Sequence, residues 1–228
     1  MPLASHVAID GPVASGKSTV AKRVAERLGY LYLDTGAMYR ALAFAALDAS
    51  VDPLDEGALI QLLARRPIVV ELDGGSALGY RIRLGSRELG PELFAPDVTA
   101  LVSRVAAYPR VRAEMVVRQR AIAAGGPVVM AGRDIGTIVL PDAPFKVYLT
   151  ASVEARVERR AAELEARGRT VDRCALRTEI EVRDASDRGR AVAPLRAAAD
   201  ATVVDSSSLE PHEVVDRIVA LVAARNPN

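Results

Sequence analysis

The chain has 228 residues, half of them hydrophobic and about a quarter charged, with a formal net charge of +1. That length suits one domain with insertions or two small ones, and the even charge balance speaks against a nucleic-acid or membrane-surface binder. Aromatic residues make up only 4%, too few for a base-stacking platform, and no apolar run reaches the ~18 residues of a membrane helix.

In chain order, "MPLASHVAID" lacks the basic region and apolar core of a secretory signal, so a cytoplasmic protein is expected. His6–Asp10 is a short apolar run ending at glycine, the pattern of a buried strand. Lys17–Leu28 carries Val20, Val24 and Leu28 on one helical face, and Gly29 follows as a cap. Tyr30–Asp34 reads as a second strand; Pro127–Gly132, Phe145–Thr150 and Ala201–Ser206 read as three more, with helical patterns between them. Strands alternating with helices predict an α/β fold, a three-layer parallel five-stranded sheet.

Two segments break the rhythm. Between Pro67 and Leu89, Ile68, Val70 and Leu72 precede the turn "DGGS", and Tyr80, Ile82 and Leu84 then alternate with Arg81 and Arg83. This predicts a small antiparallel β insert outside the main sheet. Ser152–Arg190 reads as two strongly charged helices joined at "RGRT", a mobile helical lid in which little is expected to be fully buried. Its Cys174, the only cysteine, reads as a small apolar filler.

The loop "GPVASGKS", Gly11–Ser18, fits the phosphate-loop template of Gly, four residues, Gly, Lys and Ser or Thr, between a strand and a helix. Gly11 and Gly16 let the backbone curl so that successive N–H groups face one point, and the helix starting near Lys17 adds its positive end. Lys17 can reach the terminal phosphates of a nucleotide, and the Ser18 hydroxyl can ligate Mg²⁺. A GTPase switch is excluded: Asn occurs only at positions 226 and 228, and no Asp is followed three places later by Gly. A small kinase remains, with a second ligand to be gripped elsewhere.

"DTGAMYR" follows the second strand and places Thr35, Tyr39 and Arg40 near the γ-phosphate end, where a hydroxyl, a phenol and a guanidinium suit a second phosphate. "AGRDIGT" puts Arg133 and Asp134 at the carboxyl edge of the sheet, where ligands bind in open α/β folds. In "EVRDASDRGRAVAPL", Arg183, Asp187 and Arg190 fall on one helical face at i, i+4, i+7.

The stretches "IDGPVASGKST", "LDTGAMYRALA", "YPRVRAEMVVRQR", "AGRDIGTIVLPDAPFKVYLTAS" and "RDASDRGRAVAPL", in that order and spanning nearly the whole chain, resemble the bacterial cytidylate kinases, nucleoside monophosphate kinases of the P-loop class. The resemblance implies transfer of the ATP γ-phosphate to CMP or dCMP. It implies a single P-loop kinase domain over residues 1–228, with a core of 1–34, 127–150 and 191–228. A monophosphate-binding region with the β insert would occupy 35–126 and a lid 151–190. Gly11, Pro12, Val13, Ala14, Ser15, Gly16, Lys17, Ser18 and Thr19 would hold the ATP phosphates, with Mg²⁺ on Ser18 or Thr19. Thr35, Tyr39, Arg133 and Arg190 would hold the CMP phosphate, and Arg183 and Asp187 would contact the ribose. Ser103, Arg112 and Asp134 would read the base, with Arg110 the alternative to Arg112. Arg156, Arg159 and Arg160 would close over the ATP phosphates. Lys17, Arg133 and Arg190 would stabilise the charge in transfer. Two positions depart from the family pattern: Val13 stands where relatives often have Ser, and Ser18 where they often have Gly. A monomer is expected. The rival readings are a kinase of the same architecture for UMP, AMP or another small acceptor, and a nucleotide-binding module without transfer chemistry.

Overall fold

The computed structural model of the protein describes residues 6–73 and 79–225. Strand β1 (Val7–Asp10) is buried along its whole length. The glycine loop leads into α1 (Lys17–Leu28), which buries Val20 and Val24 and ends on left-handed Gly29, and then into β2 (Leu31–Asp34). Helices α2 (Gly36–Asp48) and α3 (Glu56–Arg65) follow, and Asp55 caps α3 by accepting from the Ala58 amide. Strands β3 (Ile68–Leu72), β4 (Tyr80–Leu84) and β5 (Arg87–Leu89) come next. Helices α4 (Pro96–Val105) and α5 (Pro109–Ala123) both open on proline, whose fixed φ and missing N–H cost nothing at that position. Then come β6 (Val128–Gly132), a π-helical turn at Ile135–Val139, and β7 (Phe145–Thr150). Helices α6 (Val153–Glu165) and α7 (Arg173–Arg188) are capped by Ser152 and Asp172, and β8 (Thr202–Asp205) and α8 (Pro211–Arg225) finish the chain.

The main sheet has the order β2-β6-β1-β7-β8 with every pairing parallel, and helices flank it. All five expected strands are present within a residue of their expected limits. β1 is central, and its neighbours on both sides, β6 and β7, come from more than a hundred residues later. The carboxyl ends of β1, β2 and β6 therefore open one crevice between elements that diverge from it, the usual place for a ligand in such sheets.

The antiparallel insert forms a separate sheet, with Ile68 opposite Leu84 and Val70 opposite Ile82. The expected pair of strands is joined by a third, since Arg87–Leu89 pairs back on β4. The expected "DGGS" turn lies mostly outside the described residues. Ile68, Ile82, Leu84 and Leu89 are buried in the same apolar cluster as the main sheet, and the rings of Tyr32 and Tyr80 lie 5.8 Å apart, joining the insert to β2.

The segment expected as the lid corrects three expectations. It has a core of its own: Val157 and Ala161 of α6 pack with Leu176 and Ile180 of α7, all at most 5% exposed. The charge pattern concealed this because only four apolar positions are needed when two helices bury a single seam. Arg190 lies past the end of α7, so the run Arg183–Asp187–Arg190 is helical only as far as Arg188. Cys174 is exposed, near the start of α7. No helix of the described residues is long and apolar enough to cross a membrane.

Candidate active site

The phosphate loop is shaped by backbone constraints. A Cβ on Gly11 would lie 2.0 Å from the Leu149 carbonyl oxygen, so only glycine fits beside β7. Gly16 sits at φ 89 as the N-cap of α1, and Ala14 adopts a left-handed φ of 57, a conformation that L-residues keep only when their surroundings enforce it. The cap makes no side-chain hydrogen bond and the first turn of α1 has no acidic residue. Its amide donors are thus left for an anion.

The Lys17 ammonium, buried at 7% exposure, folds over the loop. Its Nζ donates to the Pro12 carbonyl at 2.5 Å and to Ser15 Oγ at 3.3 Å. Burial, and then the nearby Arg133, hold its pKa well below the usual lysine value. Such a cation gains most from an incoming phosphate, which returns the counter-charge that burial denies it. Ser18 Oγ donates to Asp34 Oδ2 at 2.7 Å, and Asp34 Oδ1 accepts from the Gly36 amide at 2.9 Å.

An open cleft of about 460 Å³ begins at this loop. Val13, Ala14, Gly16, Lys17, Ser18 and Thr19 of the loop line it, whereas Gly11, Pro12 and Ser15 are buried and do not. Thr35, Tyr39, Ser103, Arg112, Arg133, Asp134, Arg183, Asp187 and Arg190 line it as well. The expected acceptor residues thus come from five separate elements and meet in one cleft. Arg110 is not among the lining residues, whereas Arg112 is.

Two ion-pair systems organise the acceptor wall. Arg112 donates through Nη2 to Asp134 and through Nη1 to the Ala106 carbonyl at 2.9 Å, with its guanidinium 5.5 Å over the Tyr39 ring. Arg112 and Asp134 are 3% and 5% exposed. Asp187 receives Arg133 Nε on one oxygen at 2.8 Å and Arg190 Nη2 on the other. Burial alone would raise the Asp187 pKa, but the two arginines outweigh it and hold the carboxyl below its usual range. Arg183 stands beside them with its buried Nε lacking a hydrogen-bond partner among the described residues; burial, and then Arg133, push its pKa down to about 10. Three guanidinium groups around one carboxylate leave net positive charge, which a phosphate would neutralise.

The lid arginines divide. Arg160 lines the cleft beside Glu163, to which it donates at 2.7 Å. Arg156 and Arg159 do not line it. Arg156 is buried and donates to Asp184 at 2.6 Å, to the Ala151 carbonyl at 3.1 Å and to the Val13 carbonyl at 3.2 Å. Asp184 in turn accepts from the Val13 amide at 3.4 Å. Arg159 donates to the Oγ and carbonyl of Ser206 at the end of β8. Val13 is gripped at both ends of its backbone, and its side chain packs on the lid core. Sequence reading did not assign Asp34 or Asp184. Asp34 had a findable signal, a carboxylate ending the strand next to the phosphate-loop helix; Asp184 had none, being one acid among many on a charged helix.

A phosphate loop facing a guanidinium-rich acceptor wall across one cleft of a parallel α/β sheet defines a small-molecule phosphotransferase. The profile of the cytidylate kinase family matches residues 7–224, and the chain belongs to that family. The cytidylate kinase of Geobacillus sp. (strain WCH70) is 51% identical over 220 residues, covering 96% of this chain and 97% of that one. The cytidylate kinase of Geobacillus kaustophilus is 52% identical over 219 residues, covering 96% of each. Among solved structures, TT1252 from Thermus thermophilus aligns at a TM-score of 0.47 with 22% identity, covering 98% of each chain. Family membership makes the protein an ATP-dependent phosphotransferase acting on a nucleotide.

Proposed function

We propose that the protein transfers the γ-phosphoryl group of ATP to the phosphate of CMP or dCMP, giving ADP and CDP or dCDP. The observation that carries this reading is the paired Arg112 and Asp134, which line the same cleft as Lys17. Cytosine offers an exocyclic amino donor beside two acceptors. Asp134 suits the donor; Arg112 and Ser103 suit the acceptors. Uracil would set a carbonyl against the Asp134 carboxylate, and unpaired buried polar groups discriminate strongly.

In this reading the loop Gly11–Thr19 holds the ATP phosphates through backbone amides and Lys17. Thr35, Tyr39, Arg133 and Arg190 hold the CMP phosphate, while Arg183 and Asp187 meet the ribose. An acceptor phosphate oxygen, ionised near neutral pH, attacks the γ-phosphorus; the bond to the ADP oxygen breaks, and no general base is needed. Alignment and charge stabilisation by Lys17, Arg133 and Arg190 supply the catalysis. The Ser18 hydroxyl and Asp34 carboxylate, side by side at the loop, are hard oxygen donors of the kind that hold Mg²⁺ together with substrate phosphates. A Mg²⁺ ion held by these two groups would offset the negative charge of the ATP phosphates. Residues 151–190 act as the lid, with Arg160 placed to reach the phosphates, and closure excludes water as a competing acceptor.

A coupled ADP-release assay against CMP, dCMP, UMP and AMP tests the reading: CMP and dCMP should turn over well ahead of the others. Arg133→Ala should abolish CMP turnover with ATP binding retained. Preference for UMP or AMP, or unchanged turnover in Arg133→Ala, would overturn it.

A further inference from the structure

Asp10 is the last residue of the central strand and directly precedes the phosphate loop. It is 3% exposed and does not line the cleft. Its two carboxylate oxygens are both committed: Oδ1 accepts from the Ile135 amide at 2.8 Å, and Oδ2 from the Gly136 amide at 2.7 Å. These amides belong to the first residues of the π-helical turn and immediately follow Arg133 and Asp134. Asp10 pairs with Gly132 in the sheet register, so the β1–β6 ladder ends there. The side chain carries the connection two peptides further, past the point where backbone pairing stops.

The surroundings leave this link little slack. A Cβ on Gly132 would meet Thr35 Oγ1 at 2.7 Å and Ile135 Cδ1 at 2.6 Å; one on Gly136 would meet Asp10 Oδ2 at 3.4 Å and the Lys146 stem at 3.2 Å. On the opposite side, the Thr35 amide and hydroxyl both donate to the Ala131 carbonyl at 3.0 Å. The segment carrying Arg133 and Asp134 is therefore held from β2 by Thr35 and from β1 by Asp10. Among the described residues, its side-chain hydrogen bonds to the strand that leads into the phosphate loop are those of Asp10.

We infer that Asp10 is a positioning residue for phosphoryl transfer, one carboxylate that registers the acceptor residues Arg133 and Asp134 against the phosphate loop. The inference rests on the acceptor role given above to those two residues. In-line transfer requires the two phosphates to meet within bonding reach, and a displacement of about 1 Å costs on the order of a hundredfold. A charged buried acceptor holding two amides is a strong device for setting that distance. Asparagine is a poor replacement, because its carboxamide accepts one amide and turns an NH₂ toward the other.

The test compares Asp10→Asn, which removes one of the two accepting oxygens, with Gly136→Ala, whose methyl would crowd the Lys146 stem at 3.2 Å and so press on the peptide that donates to Asp10. Each should lower kcat/KM for CMP by roughly ten- to a hundredfold, while equilibrium binding of a non-hydrolysable ATP analogue shifts by less than about threefold. The double variant should be far less impaired than the product of the two losses. Thermal melts confirm that each variant is folded; should Asp10→Asn fail to fold, Gly136→Ala carries the same readouts. ATP affinity falling as far as kcat/KM for CMP would make Asp10 a mere scaffold of the phosphate loop. That result, or both parameters staying near wild type, or fully multiplicative losses, overturns the inference. Absence of CMP turnover in the wild type removes the function reading and this inference with it; turnover in the wild type with unselective variants removes the inference alone.

Discussion

The two ends of the cleft are built on different principles. At the phosphate-loop end, one continuous stretch of nine residues makes a cradle from its own backbone, with Gly11 forced by the Leu149 carbonyl and Gly16 by a positive φ. At the acceptor end, side chains from α2, α4, α5, the turn after β6 and the end of α7 converge, and ion pairs fix their geometry. A backbone cradle depends on local conformation more than on the side chains it carries. A side-chain clamp depends on each partner keeping its charge, since removing one leaves the other buried and uncompensated.

The largest effect should sharpen this contrast from the ATP end. Lys17 is the one charged side chain in the cradle, and Lys17→Met should cut kcat by roughly 10³-fold with the melting temperature little changed; steady-state kinetics beside a thermal melt check this. Next, Asp134→Asn strands Arg112, so kcat/KM for CMP should fall about a hundredfold and the CMP-to-UMP ratio should collapse. A clamp that kept its ratio would not be reading the base through Asp134. A smaller effect is expected at Val13, where the two halves meet the lid. Val13→Ala removes apolar contact with the lid core at a cost of about 1 kcal/mol, a shift of roughly 2–4 °C in melting temperature. KM for ATP should rise a few-fold, with KM for CMP unmoved.

The smallest effect is a pH dependence confined to the clamp. The folded pKa of Asp187 lies below the unfolded value of 3.8. Its contribution to stability is therefore complete above that value and is lost as pH falls through the lower folded one. Melting temperatures recorded below about pH 4 should drop more steeply for wild type than for Asp187→Asn. Parallel curves would mean that Arg133 and Arg190 do not hold the carboxylate ionised.

Much of the architecture was legible because it is encoded over short spans. Five strands, the α1 face with its Gly29 cap and the alternating insert all follow from periods of 2 and 3.6 and from glycine placement. The third insert strand escaped because Arg87–Leu89 is too short to show alternation. The lid core escaped because four apolar residues are diluted among charges.

By itself, the sequence located the phosphate-loop motif, since such a loop is a local backbone shape written in consecutive residues. Along with the family resemblance, it also named residues that the fold brings into one cleft with that loop. Only the tertiary structure decided the partners of the charged side chains: Arg156 with Asp184, Arg159 with Ser206, Ser18 with Asp34, and Asp10 with two amides 125 and 126 residues away. The reason is physical. A helical period says which side a charge faces, but in a low-dielectric interior its partner is chosen by the summed field and desolvation of every group the fold brings near.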